Sequence, residues 1–387
     1  MNIVERAIYF MKLQKYLRYI LSVIVCVFLV FGLTACNNSE KSDYQTVNGS
    51  DTVINNGDSS NDDNAGEITS VDDDNKSDDS KVKYFNKLTG LETTKELSEI
   101  RPVAIMINNI YQALPQQGIS EADVVYEILA EGGITRLLCL FTDYADLPET
   151  GSIRSSRDYF IDVSDAHDAI YVHCGGSPDA YETLAARKTE NMDGIYFNTP
   201  FYRNEWRKQN MGMEHSMMTT GEKLVAGIEE KGYRTTSDKK QPFSFLPEKT
   251  VPDEGESATY ASIEFSYYAL SEFDYDAEKG VYLKSHFDEP HIDSNNDAQL
   301  AFENVIFLYA DQGAVPGDDK GRIYVDFVGD GEGVHITGGK ARDICWHKDT
   351  RTSGYTLYEA DGRTELLLNP GKSYIAIAPL GAETVTE

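Results

Sequence analysis

The sequence predicts an α/β domain, a layered sheet with crossover helices, followed by a β-rich α+β domain, both behind a disordered acidic tether. Three observations predict it. Short apolar runs rich in branched residues alternate with helix-like segments over residues 84–245. Past a turn-rich stretch at 236–258, the rhythm changes to short strands and turns over 259–387. Ahead of both, residues 37–83 hold almost nothing that could be buried. Alternating strands and helices argue for a sheet with crossovers, and closely spaced strands for a β-rich unit.

Residues 1–36 read as a lipoprotein signal peptide. Lys12, Lys15 and Arg18 precede an apolar run, ILSVIVCVFLVFGL, and then Leu33-Thr34-Ala35-Cys36. A basic region, an apolar stretch and small residues before a cut are the parts of a secretory signal. The run is shorter than the about 20 residues that a membrane span needs. Met11 serves such a signal as well as Met1 does. A cysteine directly after Leu-Thr-Ala resembles the lipobox of bacterial lipoproteins. That resemblance implies that Cys36 becomes the first mature residue, carries an acyl chain such as palmitate, and anchors the protein in the membrane.

Residues 37–83 carry twelve acids against four lysines, a net −8, and include VDDDNKSDDS. Such a composition cannot bury enough apolar surface to fold. A flexible chain of this length spans about 35–40 Å, more if its charges repel. The first 36 residues carry +3, which leaves −24 of the total −29 on residues 84–387. An acidic folded part disfavours nucleic acid and other free polyanions as partners, so any anion site must be local. Of five cysteines, Cys26 lies in the signal and Cys36 at its end. Cys139, Cys174 and Cys345 remain, an odd number without CxxC spacing, which predicts neither a disulfide framework nor a zinc site. Cys139, inside an apolar run, reads as a small buried hydrophobe.

Within 84–245, VAIMI (103–107), ITRLLCLF (134–141) and AIYVHC (169–174) read as buried strands. SRDYFIDVSDAHD keeps helical spacing at 159, 160 and 163. Ser177 followed by Pro178 is an N-cap and first-turn pair that starts a further helix, reaching about Ala186. Beyond the boundary, SIEFSYYAL, FDYDAEKGVYLKS, NVIFLYA, RIYVDFV, GVHITGG, TLYEADGRTELLL and SYIAIAP read as strands with tight turns.

The chemistry concentrates at GSIRSSRDYF (151–160). Arg154 and Arg157 stand at a helix start, where the macrodipole favours anions over cations. Either a carboxylate offsets them, with Asp158 and Asp162 nearest in sequence, or they hold a bound anion. With Ser155 and free helix N–H groups they would suit phosphate, pyrophosphate or carboxylate. The loop Gly175-Gly176-Ser177 also follows a strand, and Arg136 and His173 stand close to strand ends. In open α/β sheets such loops gather at one crevice. Glu127 and Glu131 are four apart and share a face if VVYEILAEGG is helical; they could hold a cation, act as acid and base, or pair with Arg136. His215, after Glu214, belongs to FYRNEWRKQNMGMEHS (201–216), which reads as a loop over a ligand or as an exposed amphipathic helix. Asp293, Asn295 and Asp297 open like a calcium loop, but Ala298 stands where glycine is required, so a polar hairpin is expected. No metal site is predicted.

RPVAIMINN, GISEADVVYEILAEGGITRLLCLF, GSIRSSRDYF and DAIYVHCGGSPDA resemble the N-terminal domain of the YerB-like bacterial lipoproteins, whose domains have no known function. PHIDSNNDAQLAFENVIFLYA, DFVGDGEGVHITGGKARDICWHK and LLLNPGKSYIAIAP resemble that family's C-terminal domain. The resemblance covers about residues 84–385 and implies a place in the cell envelope. A more distant likeness, in the order of elements and loop type, is to LytR-CpsA-Psr envelope proteins. These attach lipid-linked glycopolymers to peptidoglycan, and their arginines hold a polyprenyl pyrophosphate. Their aspartate after the first arginine has no counterpart beside Thr135-Arg136.

The reading is therefore a lipid-anchored protein on the outer face of the cytoplasmic membrane. It binds an anionic wall- or lipid-linked ligand, such as a cell-wall glycopolymer, or a wall-enzyme partner, and needs no cofactor. Two alternatives stand beside it. One is a metal-dependent phosphotransferase on polyprenyl-pyrophosphate-linked glycopolymer, with magnesium held by Glu127 or Glu131. The other is a structural adaptor working through residues 259–387.

Overall fold

The structure, a computed structural model, describes residues 82–387. The segments expected to be a signal peptide ending at Cys36 and a tether, up to residue 81, lie outside the described residues. A large mixed sheet organises the rest. Val103–Asn108 (β1), Val124–Leu129 (β2) and Thr135–Phe141 (β3) form its centre, with β3 antiparallel to both β1 and β2. Asp158–Ala166 (α1) leads into Ile170–His173 (β4), which pairs parallel with β1. Pro178–Arg187 (α2) leads into Asn191–Asp193 (β5), parallel to β4. α2 is a crossover of the kind expected from the sequence, since it joins parallel neighbours, whereas α1 leads from β3 to β4, which run antiparallel.

Local chemistry explains both helices. At α2, Ser177 Oγ accepts from Ala180 N and Pro178 occupies the first turn, so the start signal is met. At α1 the capping position is Arg157, which makes no side-chain cap, and Asp158 supplies the favoured first-turn charge. α1 buries Tyr159, Phe160, Ile161 and Val163 against the sheet. Glu205–Asn210 (α3) and Gly221–Lys231 (α4) complete the helices that matter for the site.

The turn-rich stretch at 236–258 separates two halves in sequence, while one sheet runs through both. Tyr260–Ser266 (β6), Ala269–Asp276 (β7) and Val281–His286 (β8) make a separate antiparallel meander. Asn304–Ala314 (β9), Gly329–Thr337 (β10), Lys340–Lys348 (β11) and Ser373–Pro379 (β12) then join the large sheet, in the order β11-β10-β9-β12-β2-β3-β1-β4-β5. β12 lies parallel between β9 and β2, with Ile375 opposite both Ile306 and Tyr126. Side chains alternate across it. Ile105, Ile107 and Tyr374 pack with Phe273 on one face, and Ala104, Met106 and Ile375 pack with Phe160 on the other.

One expectation is corrected. VVYEIL is strand β2, so Glu127 and Glu131 do not share a helix face. Glu127 is fully buried on β2, whereas Glu131 lies in the 3-10 turn after it. A four-residue spacing of acids imitates helix periodicity, but the surrounding valine, tyrosine and isoleucine favour a strand.

Candidate functional site

The two loops singled out by the sequence lie side by side. Cys174 N donates to the Arg154 carbonyl at 3.0 Å, Ser156 N to the Gly175 carbonyl at 2.8 Å, and Ser177 N to the Ser156 carbonyl at 3.2 Å. Gly175 has φ +79°, a left-handed conformation that glycine adopts without strain. It turns the Gly175 N–H onto Asp193 Oδ1 at 2.8 Å. Ser155 Oγ donates to the Cys174 carbonyl at 3.1 Å.

Above this paired backbone opens a cleft of about 630 Å³. Its floor is Ile153, Arg154, Ser155, Cys174, Gly175 and Gly176; its walls include Tyr181, Ile195, Arg203 and the turn Gly212-Met213-Glu214. Arg203 and Arg154 supply positive charge, and Glu214 is the one carboxylate among the lining residues. Arg154 Nη2 donates to Glu214 Oε2 at 2.9 Å, while its Nε–H is buried and has no partner. Arg203 Nη1 donates to the Met213 carbonyl and, at 3.3 Å, to Ser216 Oγ. Among the described residues no carboxylate lies within ion-pair distance of Arg203. Burial pushes the Cys174 thiol up, and Arg203 and Arg154 pull against that rise.

Of the other predicted residues, Arg136, Arg157 and Glu131 lie against this cleft without lining it. Arg136 and Arg157 share Glu131: Arg136 Nη2 donates to Oε2 at 3.1 Å and Arg157 Nε to Oε1. Arg136 Nη1 also donates to the Ser155 carbonyl at 2.7 Å, and Arg157 Nη1 to the Ser156 carbonyl. Both guanidiniums therefore brace the floor from behind. Burial, helped by neighbouring Arg157, pushes Arg136 down to about 10, against the pull of Glu131. Burial works to raise the Glu131 carboxyl, but Arg157 and Arg136 outweigh it and hold it below its ordinary value. The carboxylates offsetting Arg154 and Arg157 are thus Glu214 and Glu131, not Asp158 and Asp162, which pair with Arg351 at 2.9 and 2.8 Å.

His173 is fully buried, stacked on Tyr171 and bonded to the Gly175 carbonyl at 2.9 Å and to Asn191 Oδ1 at 3.2 Å. Ser177 caps α2. His215 Nδ1 accepts from Asn108 Nδ2 at 2.8 Å, which leaves its Nε2 facing Glu214 Oε1 at 3.5 Å. Burial pushes the His215 imidazole down, with Arg154 and Arg207 adding to the shift and Glu214 opposing it. α3 is a short helix pinned by buried Arg207, whose guanidinium donates to the carbonyls of His215, Pro115 and Ala113. Asp293, the first residue of the calcium-like stretch, is buried and accepts from Gly118 N and Ser120 N, so backbone amides take the oxygens a cation would need.

Glu127 belongs to a second, sealed polar cluster. It accepts from Asn109 Nδ2 at 2.9 Å, Thr135 Oγ1 at 2.6 Å, Ser271 Oγ at 2.5 Å and Tyr374 Oη. Lys284 Nζ reaches Ser271 Oγ at 3.1 Å. Burial pushes Lys284 down to about 8, against the attraction of Glu127. Burial works to raise Glu127, and Lys284 foremost keeps it below its ordinary value. The sequence offered 201–216 as a loop over a ligand but named none of Arg203, Glu214 and Cys174 as a site residue. The basic run at 203–208 was the available signal, but only the fold brings it to the GSIRSSRDYF loop.

Residues 88–234 match the N-terminal domain, and residues 261–375 the C-terminal domain, of a protein family of unknown function, DUF3048. YerB of Bacillus subtilis (strain 168), named as a lipoprotein, is 31% identical over 303 residues, covering 78% of this chain and 88% of YerB. The crystal structure of YerB from Bacillus subtilis superposes with a TM-score of 0.68 at 29% identity, covering 78% of this chain and 99% of the YerB chain. Matches to both domain families and to a relative along most of its length place the chain in the DUF3048 family, together with YerB.

Proposed function

We propose that the protein is a lipid-anchored, extracytoplasmic envelope protein that holds an anionic wall- or lipid-linked ligand in the cleft between Arg154 and Arg203. The lipobox-like Leu33-Thr34-Ala35-Cys36 and the likeness to a protein named as a lipoprotein support the anchor. No helix among the described residues is long and apolar enough to cross a membrane. One observation carries the binding reading: two guanidiniums and one carboxylate line an open cleft in a chain of net charge −29. Guanidiniums are suited to oxyanions by their fixed fork of donors. Binding is preferred to phosphotransfer because Glu127 and Glu131, the carboxylates that reading assigns to magnesium, are engaged away from the cleft.

Equilibrium dialysis of the full chain in detergent against inorganic pyrophosphate and a short prenyl pyrophosphate tests this. Wild type is expected to retain both, and Arg154→Ala/Arg203→Ala to lose them. Equal retention by wild type and variant would sink the cleft as the site.

A further inference from the structure

Glu214 stands where an anionic ligand of this cleft would stand. Its carboxylate bonds Arg154 Nη2 at 2.9 Å and lies 3.5 Å from His215 Nε2, yet its side chain is 60% exposed. It rides on a 3-10 turn, Met213–His215, that begins after Gly212 at φ +107°. The pairing is incomplete, since the buried Arg154 Nε–H is left without an acceptor. Exposed ion pairs of this kind contribute little, because water competes for both charges.

We infer that Glu214 is a built-in competitor that takes the anion position on Arg154 and is displaced by a ligand carrying a phosphoryl group. This rests on the reading of the cleft as an anion site. The ligand class follows from the competition itself. A free carboxylate offers Arg154 what Glu214 already offers, and Glu214 is tethered in place, so exchange gains nothing. A phosphoryl group brings up to two charges and three acceptor oxygens. It can take a fork of two N–H groups on Arg154 and still reach Arg203 across the cleft. The competitor therefore selects phosphorylated ligands over carboxylates and keeps the arginines compensated when the site is empty.

Isothermal titration of the full chain in detergent tests this, with inorganic pyrophosphate and acetate as probes. Wild type is expected to bind pyrophosphate and not to have it displaced by equimolar acetate. Glu214→Gln is expected to bind pyrophosphate about fivefold more tightly, the scale of one exposed ion pair. Glu205→Gln removes the same charge nearby, from a residue paired with Lys208 and away from the cleft, and should leave the affinity unchanged. Wild-type binding with no gain in Glu214→Gln, or an equal gain in Glu205→Gln, overturns the competitor. Displacement of pyrophosphate by equimolar acetate overturns the ligand class. Pyrophosphate binding to none of the three proteins overturns the anion site beneath both.

Discussion

The Ser271 hydroxyl donates to Glu127 Oε2 at 2.5 Å, joining residues 144 positions apart and tying β7 of the meander to β2 of the large sheet. The bond belongs to a sealed cluster in which Lys284, held on the same Ser271 hydroxyl, is the largest compensating charge for Glu127. Removing one member of a buried pair strands the other, at a cost of about 3–5 kcal/mol. Glu127→Ala should lose that much in urea denaturation, while Glu127→Met/Lys284→Met should lose clearly less than the two single changes summed. A loss below about 1 kcal/mol for Glu127→Ala would contradict the cluster's role.

Acid should destabilise the protein through its buried histidines. Burial pushes His167 and His335 down to about 3 and His286 to about 4. Between those values and the unfolded value near 6.5, the unfolded chain binds more protons than the folded one. The stability from these neutral rings is therefore complete above about pH 6.5 and falls as the pH drops, by up to about 1.4 kcal/mol per unit for each ring. Urea midpoints at pH 7 and pH 5 check this, and equal midpoints would contradict it. His335→Gln should flatten the dependence by about one proton.

Cys174 offers a reporter inside the cleft. It is half-buried beside Arg154 and Arg203, whereas Cys139 is sealed in the core. In a Cys26→Ser/Cys36→Ser/Cys345→Ser background, a maleimide should label Cys174 slowly at pH 7, because burial disfavours the thiolate. Saturating pyrophosphate should slow the labelling several-fold, read by intact-protein mass. Labelling that is unchanged by pyrophosphate would argue against a ligand over Cys174.

Membrane attachment should depend on Cys36 alone. Cys36→Ala is expected to move the protein from the membrane fraction to the soluble fraction and to abolish incorporation of labelled palmitate. Retention of the variant at the membrane would point to a different anchor.

Strands β1, β3 and β4 and helices α1 and α2 were legible because each is dictated locally, by branched apolar runs bounded by turn residues or by a capping pair. The Gly175-Gly176 loop was legible for the same reason, because it follows directly on β4. β2 was not, because Glu127 inside VVYEIL is satisfied by Asn109, Thr135, Ser271 and Tyr374, partners that only the fold supplies. Local spacing also could not separate Arg154, which faces the cleft, from Arg136 and Arg157, which Glu131 holds behind it. For Arg154 and Arg157 that difference depends on which side of one extended segment each side chain leaves, whereas Arg136 reaches Glu131 from β3.

The most direct test of the central claim is thermal melting of the full chain with inorganic pyrophosphate, for wild type and for Arg154→Ala/Arg203→Ala. A ligand at a hundred times its dissociation constant adds about 2.7 kcal/mol, enough for a shift of several degrees. A shift is expected in wild type and none in the variant. An identical shift in both, or none in wild type at saturating pyrophosphate, would contradict it.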